Sequence, residues 1–202
     1  MKNLFMALAV VLSVCYSATS QETKFGVKGG ANFATLSGDD TDGIDGRTGF
    51  HIGGLAEIMF NDSFGVQPEL VYSNQGASEE FSESGLTGKY TLKLDYINVP
   101  ILAKYFLTSG LNVNLGPQVG FAINKQEEFE LSGDGLDESG SEDLEGVNDF
   151  DFGLAGGLGY QLDMGVFINA RYTLGLSNLS EDGGDDYSIQ NNVIQVSVGY
   201  MF

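Results

Sequence analysis

Apolar and polar residues alternate with a period of two over eight segments of the chain. Because successive side chains of a β-strand point to opposite sides, this alternation predicts strands with one apolar and one polar face. The apolar face of the last segment carries Val196, Val198, Tyr200 and Phe202. The eight predicted strands are residues 24–34, 49–60, 64–74, 90–106, 111–124, 150–162, 166–176 and 189–202.

The connections between these segments alternate in length. Tight turns are predicted at residues 61–63, 108–110 and 163–165, and long polar loops at residues 35–48, 75–89, 125–149 and 177–188. Strands of about 9–11 residues are long enough to cross a bilayer when they are tilted. The pattern therefore predicts an all-β fold, an eight-stranded antiparallel up-and-down transmembrane β-barrel.

The fourth predicted strand contains one irregularity. Leu92 and Leu94 are out of phase with the apolar residues that follow them. A bulge inserts one extra residue into a strand pair and disturbs its regular pattern. We therefore predict a bulge near Asp95 or Tyr96.

The polar face of the predicted sheet carries charges at six positions. Lipid offers no partner for such groups, so the apolar face should contact lipid and the charges should lie inside. An eight-stranded barrel is just wide enough for its side chains to fill it, and buried charges are tolerated when they are paired. We expect an interior charge network formed by Lys28, Glu57, Glu69, Lys104, Asp151 and Arg171.

The first twenty residues have the features of a secretory signal peptide. Lys2 is followed by an apolar run at residues 4–14 and by small residues at 18–20. The expected domains are a signal peptide at residues 1–20 and a β-barrel domain at residues 21–202. The single cysteine, Cys15, lies in the signal segment, so no disulfide is expected in the barrel domain.

Acidic residues are concentrated in the four long loops, which hold most of the 28 acids of the chain. In bacterial barrels the long loops are extracellular. Asp39, Asp40, Asp42 and Asp45 form a candidate cation-binding loop, because calcium prefers carboxylate and carbonyl oxygens. The alternative is a solvated surface whose charges repel one another. The net charge of −19 argues against a nucleic-acid partner.

Catalytic or cofactor chemistry is not expected. His51 is the only histidine, so a catalytic or metal site that depends on several histidines cannot be built. We expect His51 to be a hydrogen-bonding residue of the barrel interior or rim. No cofactor is predicted, and the identity of any metal is left unknown.

Several segments carry a family likeness. They are residues 25–32 (FGVKGGAN), 64–70 (FGVQPEL), 96–105 (YINVPILAKY), 116–120 (GPQVG) and 200–202 (YMF). In these segments the chain resembles the small outer-membrane β-barrel (porin-like) family, which is common in Bacteroidetes-type bacteria. The resemblance implies the fold and an outer-membrane location, whereas activity cannot be carried over from a fold.

These features predict a monomeric barrel of the bacterial outer membrane with a plugged polar interior and acidic extracellular loops. Its expected role is structural or surface-interacting. A narrow porin-like channel for small solutes or ions is the alternative, and a soluble ligand-binding barrel is the third hypothesis. Expected partners are outer-membrane lipid, divalent cations or extracellular molecules, and the outer-membrane assembly machinery. Tyr200 and Phe202 resemble the signal that this machinery reads, so deleting Phe202 is expected to impair insertion.

Overall fold

The computed structural model describes residues 22–41, 43–83, 86–133, 136–180 and 187–202. The predicted signal peptide at residues 1–20 lies outside the described residues. No helix in the described part of the chain is long and apolar enough to cross a membrane. The antiparallel strands are β1 (Glu22–Gly38), β2 (Asp45–Met59), β3 (Phe64–Glu83), β4 (Leu86–Phe106), β5 (Leu111–Gly133), β6 (Leu136–Asp143), β7 (Phe150–Gln161), β8 (Val166–Gly175) and β9 (Ile189–Met201).

Eight of these strands close into a ring. Its order is β1, β2, β3, β4, β5, β7, β8 and β9, and β9 pairs with β1 from Gly26↔Met201 to Gly38↔Ile189. Closure matters because lipid cannot satisfy the backbone groups of an open sheet edge. The predicted eight-stranded antiparallel up-and-down barrel is therefore confirmed. The ninth strand, β6, lies outside the ring and pairs with β5.

The two faces of the ring have opposite character, as the alternation predicts. On β1, Phe25 is 58% exposed whereas Lys28 is 4% exposed. At the C-terminal end, Val196, Val198 and Tyr200 of β9 and the following Phe202 point outward and are all at least 43% exposed. Ala56 and Ile58 are exceptions, since they occupy outward positions of β2 but are less than a tenth exposed.

The tight turns lie at the predicted positions between β2 and β3, β4 and β5, and β7 and β8. Gly110 and Gly165 in two of these turns have φ angles of 96° and 91°. This left-handed conformation is accessible to glycine without steric cost. Because short turns mark the periplasmic end of bacterial barrels, the opposite end is extracellular.

The prediction of long loops at residues 75–89 and 125–149 is wrong, because these segments largely form β-hairpins. β3 and β4 remain paired out to Glu83↔Leu86, and β5 and β6 pair out to Gly133↔Leu136. The strands are held by opposite charges and aromatic pairs across the sheet. Lys89 Nζ lies 2.6 Å from Glu80 Oε1, and the rings of Phe81 and Tyr90 stack at 5.9 Å. We call residues 75–83, 86–94, 124–133 and 136–143 the projecting sheet.

The predicted bulge is confirmed in position. The pairing of β4 with β5 shifts between Asp95 and Tyr96, so that Ile123 of β5 is the extra residue. β4 itself keeps a regular alternation. Consequently Leu94 points inward on the same face as Tyr96, and both are fully buried.

Candidate functional site

A three-residue ion cluster occupies the middle of the barrel. Glu69 of β3 accepts two hydrogen bonds from Arg171 of β8, at 2.7 and 2.8 Å, and its Oε2 lies 2.6 Å from Lys28 Nζ of β1. Gln67 donates a further hydrogen bond of 2.7 Å to Glu69 Oε1. All four residues are at most 6% exposed. One buried carboxylate therefore binds two buried cations, which come from strands far apart in the sequence.

A second ion pair lies nearer the periplasmic end. Lys104 Nζ is 2.5 Å from Glu57 Oε2 and donates to Gln161 Oε1 at 3.2 Å. Its ammonium also lies 4.9 Å from the centre of the Phe106 ring, within range of a cation–π interaction. Glu57 and Gln161 border a cavity of about 790 Å³ that is lined by the periplasmic turns.

Asp151 does not join these charges. Asp151 lies near the extracellular end of β7, where its carboxylate accepts a hydrogen bond of 2.7 Å from Ser177 Oγ. The structure therefore brings five of the six expected interior charges together as two separate clusters and places the sixth apart from both.

A neutral hydrogen-bond network fills the next layer, and sequence analysis missed it except for His51. Nδ1 of His51 lies 2.7 Å from Asn32 Oδ1, and Nε2 lies 2.8 Å from Ser197 Oγ. Because Asn32 Oδ1 can only accept, the Nδ1–H donates and Nε2 accepts from the serine hydroxyl. Both ring nitrogens are thus occupied. Within the described residues, no group of three or more His, Cys, Asp or Glu side chains is placed to hold a metal ion.

Asn32 is the centre of this network. Its Nδ2 lies 2.9 Å from Ser73 Oγ and from the carbonyl oxygens of Phe50 and Asn74, so its two N–H groups are shared among three acceptors. Gln195 Nε2 donates to Asn32 Oδ1 at 3.0 Å. A fully satisfied network of this kind fixes the interior geometry. The signal for it in the sequence is weak, because an inward polar residue does not reveal its partner.

The void beside the central ion cluster is small. It measures about 10 Å³ and is lined by Lys28, Gln67, Glu69, Lys104, Asn112, Asn114 and Arg171, among others. A cavity of this size holds roughly one water molecule.

An apolar cluster that we call the apolar seal lies near the extracellular end of the barrel. It consists of Leu94, Tyr96, Val147 and Leu179. The two loop residues are held over the barrel by a bridge between Val147 and Ser180 and by the Asn148 side chain, which donates to the carbonyls of Asn178 and Ser180 at 2.9 and 3.1 Å. In the sequence, the apolar seal was indicated only by the change of phase at Leu92 and Leu94.

The candidate cation-binding loop is only partly within the described residues, because Asp42 lies outside them. Asp39 Oδ2 accepts a hydrogen bond of 2.9 Å from the Ser188 N–H, so this carboxylate ties the first loop to the last. Asp40 adopts a positive φ of 51°, and Asp45 begins β2. The cation-binding loop stays a prediction.

The proposed assembly signal lies on the lipid-facing side of the periplasmic rim. The rings of Tyr200 and Phe202 meet edge to face at 5.4 Å. The Phe202 N–H donates to the Phe25 carbonyl at 2.7 Å, so the last residue is still tied to β1.

The projecting sheet carries ten acidic residues. On one face, Glu80 accepts a hydrogen bond from Lys89 and raises the pKa of that ammonium. Lys93 forms an ion pair with Glu128 on the same face. The lysines are outnumbered by carboxylates, so the sheet as a whole is acidic.

Comparison with known proteins supports this architecture. The family model described as outer membrane protein beta-barrel domain matches residues 19–181. No curated protein matches the chain significantly. Among solved structures, Ail, the attachment invasion locus protein of Yersinia pestis, has 19% identity and a TM-score of 0.52, and the match covers 90% of this chain and 99% of Ail.

Two further structures show the same likeness. Neisserial surface protein A has 15% identity and a TM-score of 0.54, and Ail in complex with the heparin analogue sucrose octasulfate has 18% identity and a TM-score of 0.50. Each match covers 90% of this chain and 99% of the other. At these identities the structures show the fold alone. The family model, which covers most of the sequence, shows more: the chain belongs to the outer membrane protein beta-barrel domain family and is a protein of the bacterial outer membrane.

Proposed function

We propose that the protein is a monomeric, plugged barrel that serves as a structural anchor for an acidic extracellular surface. The observation that supports this proposal is the series of packed polar and apolar layers inside the barrel. Two ion clusters, a neutral hydrogen-bond network and the apolar seal follow one another along the barrel, and the void beside the central cluster measures about 10 Å³. A continuous solute path would require several of these layers to separate.

Planar-bilayer recording tests the plugged barrel. We expect no discrete conductance steps from the purified, folded protein, because the buried ion cluster and the apolar seal both block the lumen. A larger porin added to the same bilayer serves as the control for channel detection. Discrete, salt-dependent openings from the protein would contradict the proposal.

One observation favours the alternative of a narrow channel. Several inward polar atoms lack a protein hydrogen-bond partner among the described residues, including the Asn98 amide, Asn114 Oδ1 and Thr173 Oγ1. Such atoms are commonly satisfied by water. A continuous row of water molecules along one side of the lumen would allow slow conduction of ions. The bilayer recording distinguishes this alternative from the plugged barrel.

The chemistry of the extracellular end supports a role in surface interaction. The projecting sheet extends beyond the ring and is rich in carboxylates. Ail has been crystallised with a polyanion, sucrose octasulfate. Acidic strands would repel such a ligand, so this chain is suited instead to cations or basic molecules. A soluble barrel does not fit, because the ring exposes apolar side chains on its outside.

Two proposals concern export and assembly. Residues 1–20 are proposed as a cleaved signal peptide, on the sequence features given above. Phe202 is proposed as part of the signal for the outer-membrane assembly machinery, together with Tyr200. Support comes from their exposed, lipid-facing aromatic pair at the rim.

Deleting Phe202 is expected to lower the amount of protein in the outer membrane severalfold, because the assembly machinery would lose an aromatic contact. Quantitative blotting of outer-membrane fractions measures this. Leu162→Ala, which truncates an exposed apolar side chain in another periplasmic turn, is the control and should leave the amount unchanged. Unchanged levels after deletion of Phe202 would count against the signal.

A further inference from the structure

The outer edge of β6 has no strand partner among the described residues. β6 pairs with β5 from Gln126↔Asp143 to Gly133↔Leu136 without a register shift, and no other strand pairs with it. Natural proteins usually protect such edges with proline, with lysine or other charged side chains, or with a bulge. β6 contains no proline, lysine or bulge, so its protection consists of negative charge alone. Negative charge disfavours pairing with an acidic strand but leaves this edge of eight residues as a template for a basic one.

The backbone groups that face this edge can be identified. Leu144, directly after β6, donates its N–H to the Lys125 carbonyl of β5 at 3.0 Å. In an antiparallel strand, alternate residues direct their N–H and C=O to the same side. The N–H groups of Ser139 and Ser141 therefore point away from β5, toward the free edge.

The charge of β6 indicates what kind of strand can pair with it. Its eight residues include four carboxylates, Asp137, Glu138, Glu142 and Asp143, and no cation. A second copy of this chain would place like charges opposite each other across the new pair, which is destabilising. A basic segment would instead place ammonium or guanidinium groups opposite the carboxylates.

A cavity with aromatic and acidic walls lies on the face of the projecting sheet, next to the end of β6. Its volume is about 320 Å³, and its lining consists of Tyr90, Glu127, Phe129, Glu142, Asp143, Leu144 and Glu145. A Cβ on Gly140 would lie 2.6 Å from Phe129 Cε1, so the Phe129 ring lies directly over this glycine of β6. Glu138 and Glu142 flank Gly140 on the same face of the strand. A cation in the cavity would meet the Phe129 ring and the carboxylates of Glu127 and Glu142.

We propose that β6 binds an extended basic polypeptide by β-strand addition, and that one lysine or arginine side chain of that polypeptide enters the cavity over Phe129. The inference rests on the proposed surface role and specifies its partner class. Backbone hydrogen bonds to the Ser139 and Ser141 edge supply alignment, and the carboxylates with the aromatic ring supply selectivity for a cation.

The test uses the full chain folded in detergent micelles and a labelled peptide of alternating lysine and valine, as long as β6. Fluorescence anisotropy measures binding. We expect the peptide to bind, and Ser141→Pro to weaken binding about tenfold or more, because proline removes an edge donor without affecting the bonds to β5. Ser141→Ala keeps the N–H and is the matched control, which should bind like the native chain. A peptide of alternating glutamate and valine should not bind.

A second measurement does not depend on the folding of a variant. The native chain is titrated with the lysine–valine peptide methylated at every backbone nitrogen, which keeps the charge but removes the donors of both edges. Weaker binding of this peptide supports strand addition. Strand addition would be overturned if the methylated peptide bound the native chain as tightly as the unmethylated peptide does. It would also be overturned if the folded Ser141→Pro variant bound the unmethylated peptide as tightly as the native chain does. In either case charge alone would account for the affinity.

Two other results would also overturn the proposal. The first is no binding of the lysine–valine peptide by the native chain. The second is self-association of the native chain that Ser141→Pro abolishes, which would assign the edge to a second copy. Failure of this inference is distinguishable from failure of the plugged barrel, because the latter is measured as conductance, which does not involve β6.

Discussion

Replacing Glu69 with glutamine is expected to destabilise the folded barrel by about 3 to 5 kcal/mol, because removal of one partner leaves buried charges unpaired. Among the described residues, Glu69 is the one carboxylate that contacts both Lys28 and Arg171, and these three side chains are at most 2% exposed. Glutamine preserves the volume of the side chain. The loss is therefore attributable to charge. Urea unfolding of the protein in detergent micelles or liposomes measures it.

The control for this experiment is Glu80→Gln, which makes the same chemical change in an exposed pair. Glu80 contacts Lys89 at the surface of the projecting sheet, where water and salt screen the charges. We expect no measurable change in stability. Adding Lys28→Met to Glu69→Gln should recover part of the loss, since one unpaired cation is removed. Wild-type stability for Glu69→Gln alone would show that the cluster is not a buried charge network.

Replacing Gly30 with alanine is expected to destabilise the barrel by about 3 kcal/mol or more, because the new methyl group would collide with the neighbouring strand. A Cβ on Gly30 would lie 1.9 Å from the Val196 carbonyl oxygen and 2.8 Å from the Ser197 Cα. Both contacts are with the backbone of β9. They can be relieved only by moving β1 away from β9, at the seam where the ring closes.

Gly29→Ala is the matched control, one residue away on the same strand. Its nearest contact would be the His51 carbonyl oxygen at 3.4 Å, an ordinary van der Waals distance. We expect a change within about 1 kcal/mol, the usual range for exchanging glycine and alanine within a strand. Heat-modifiable gel migration and urea midpoints compare the two variants. Similar stability of both would contradict the close approach of β1 and β9.

The features that depend on neighbouring residues alone were predictable from the sequence. The faces of the strands follow from alternation, and the tight turns follow from short polar segments between them. The family likeness noted at residues 25–32 and 96–105 is confirmed by the match over residues 19–181. The projecting sheet was not predicted from the sequence. Residues 125–149 are rich in carboxylates, and such a composition usually indicates a loop. Cross-strand pairs such as Lys89 with Glu80 stabilise a hairpin there, and they exist only once β3 and β4 are aligned.

The sequence by itself determined the eight strands, the face that each strand turns to lipid and the presence of charge inside the barrel. Alternation determines a face, but a shift of two residues between strands leaves every face unchanged, so it leaves the register open. Only the tertiary structure, through ring closure, decided that Arg171 meets Glu69 rather than Glu57, that Leu94 joins the apolar seal, and that Gly30 but not Gly29 must lack a side chain. Each of these depends on distances between strands far apart in the chain, which alignment around the whole ring sets.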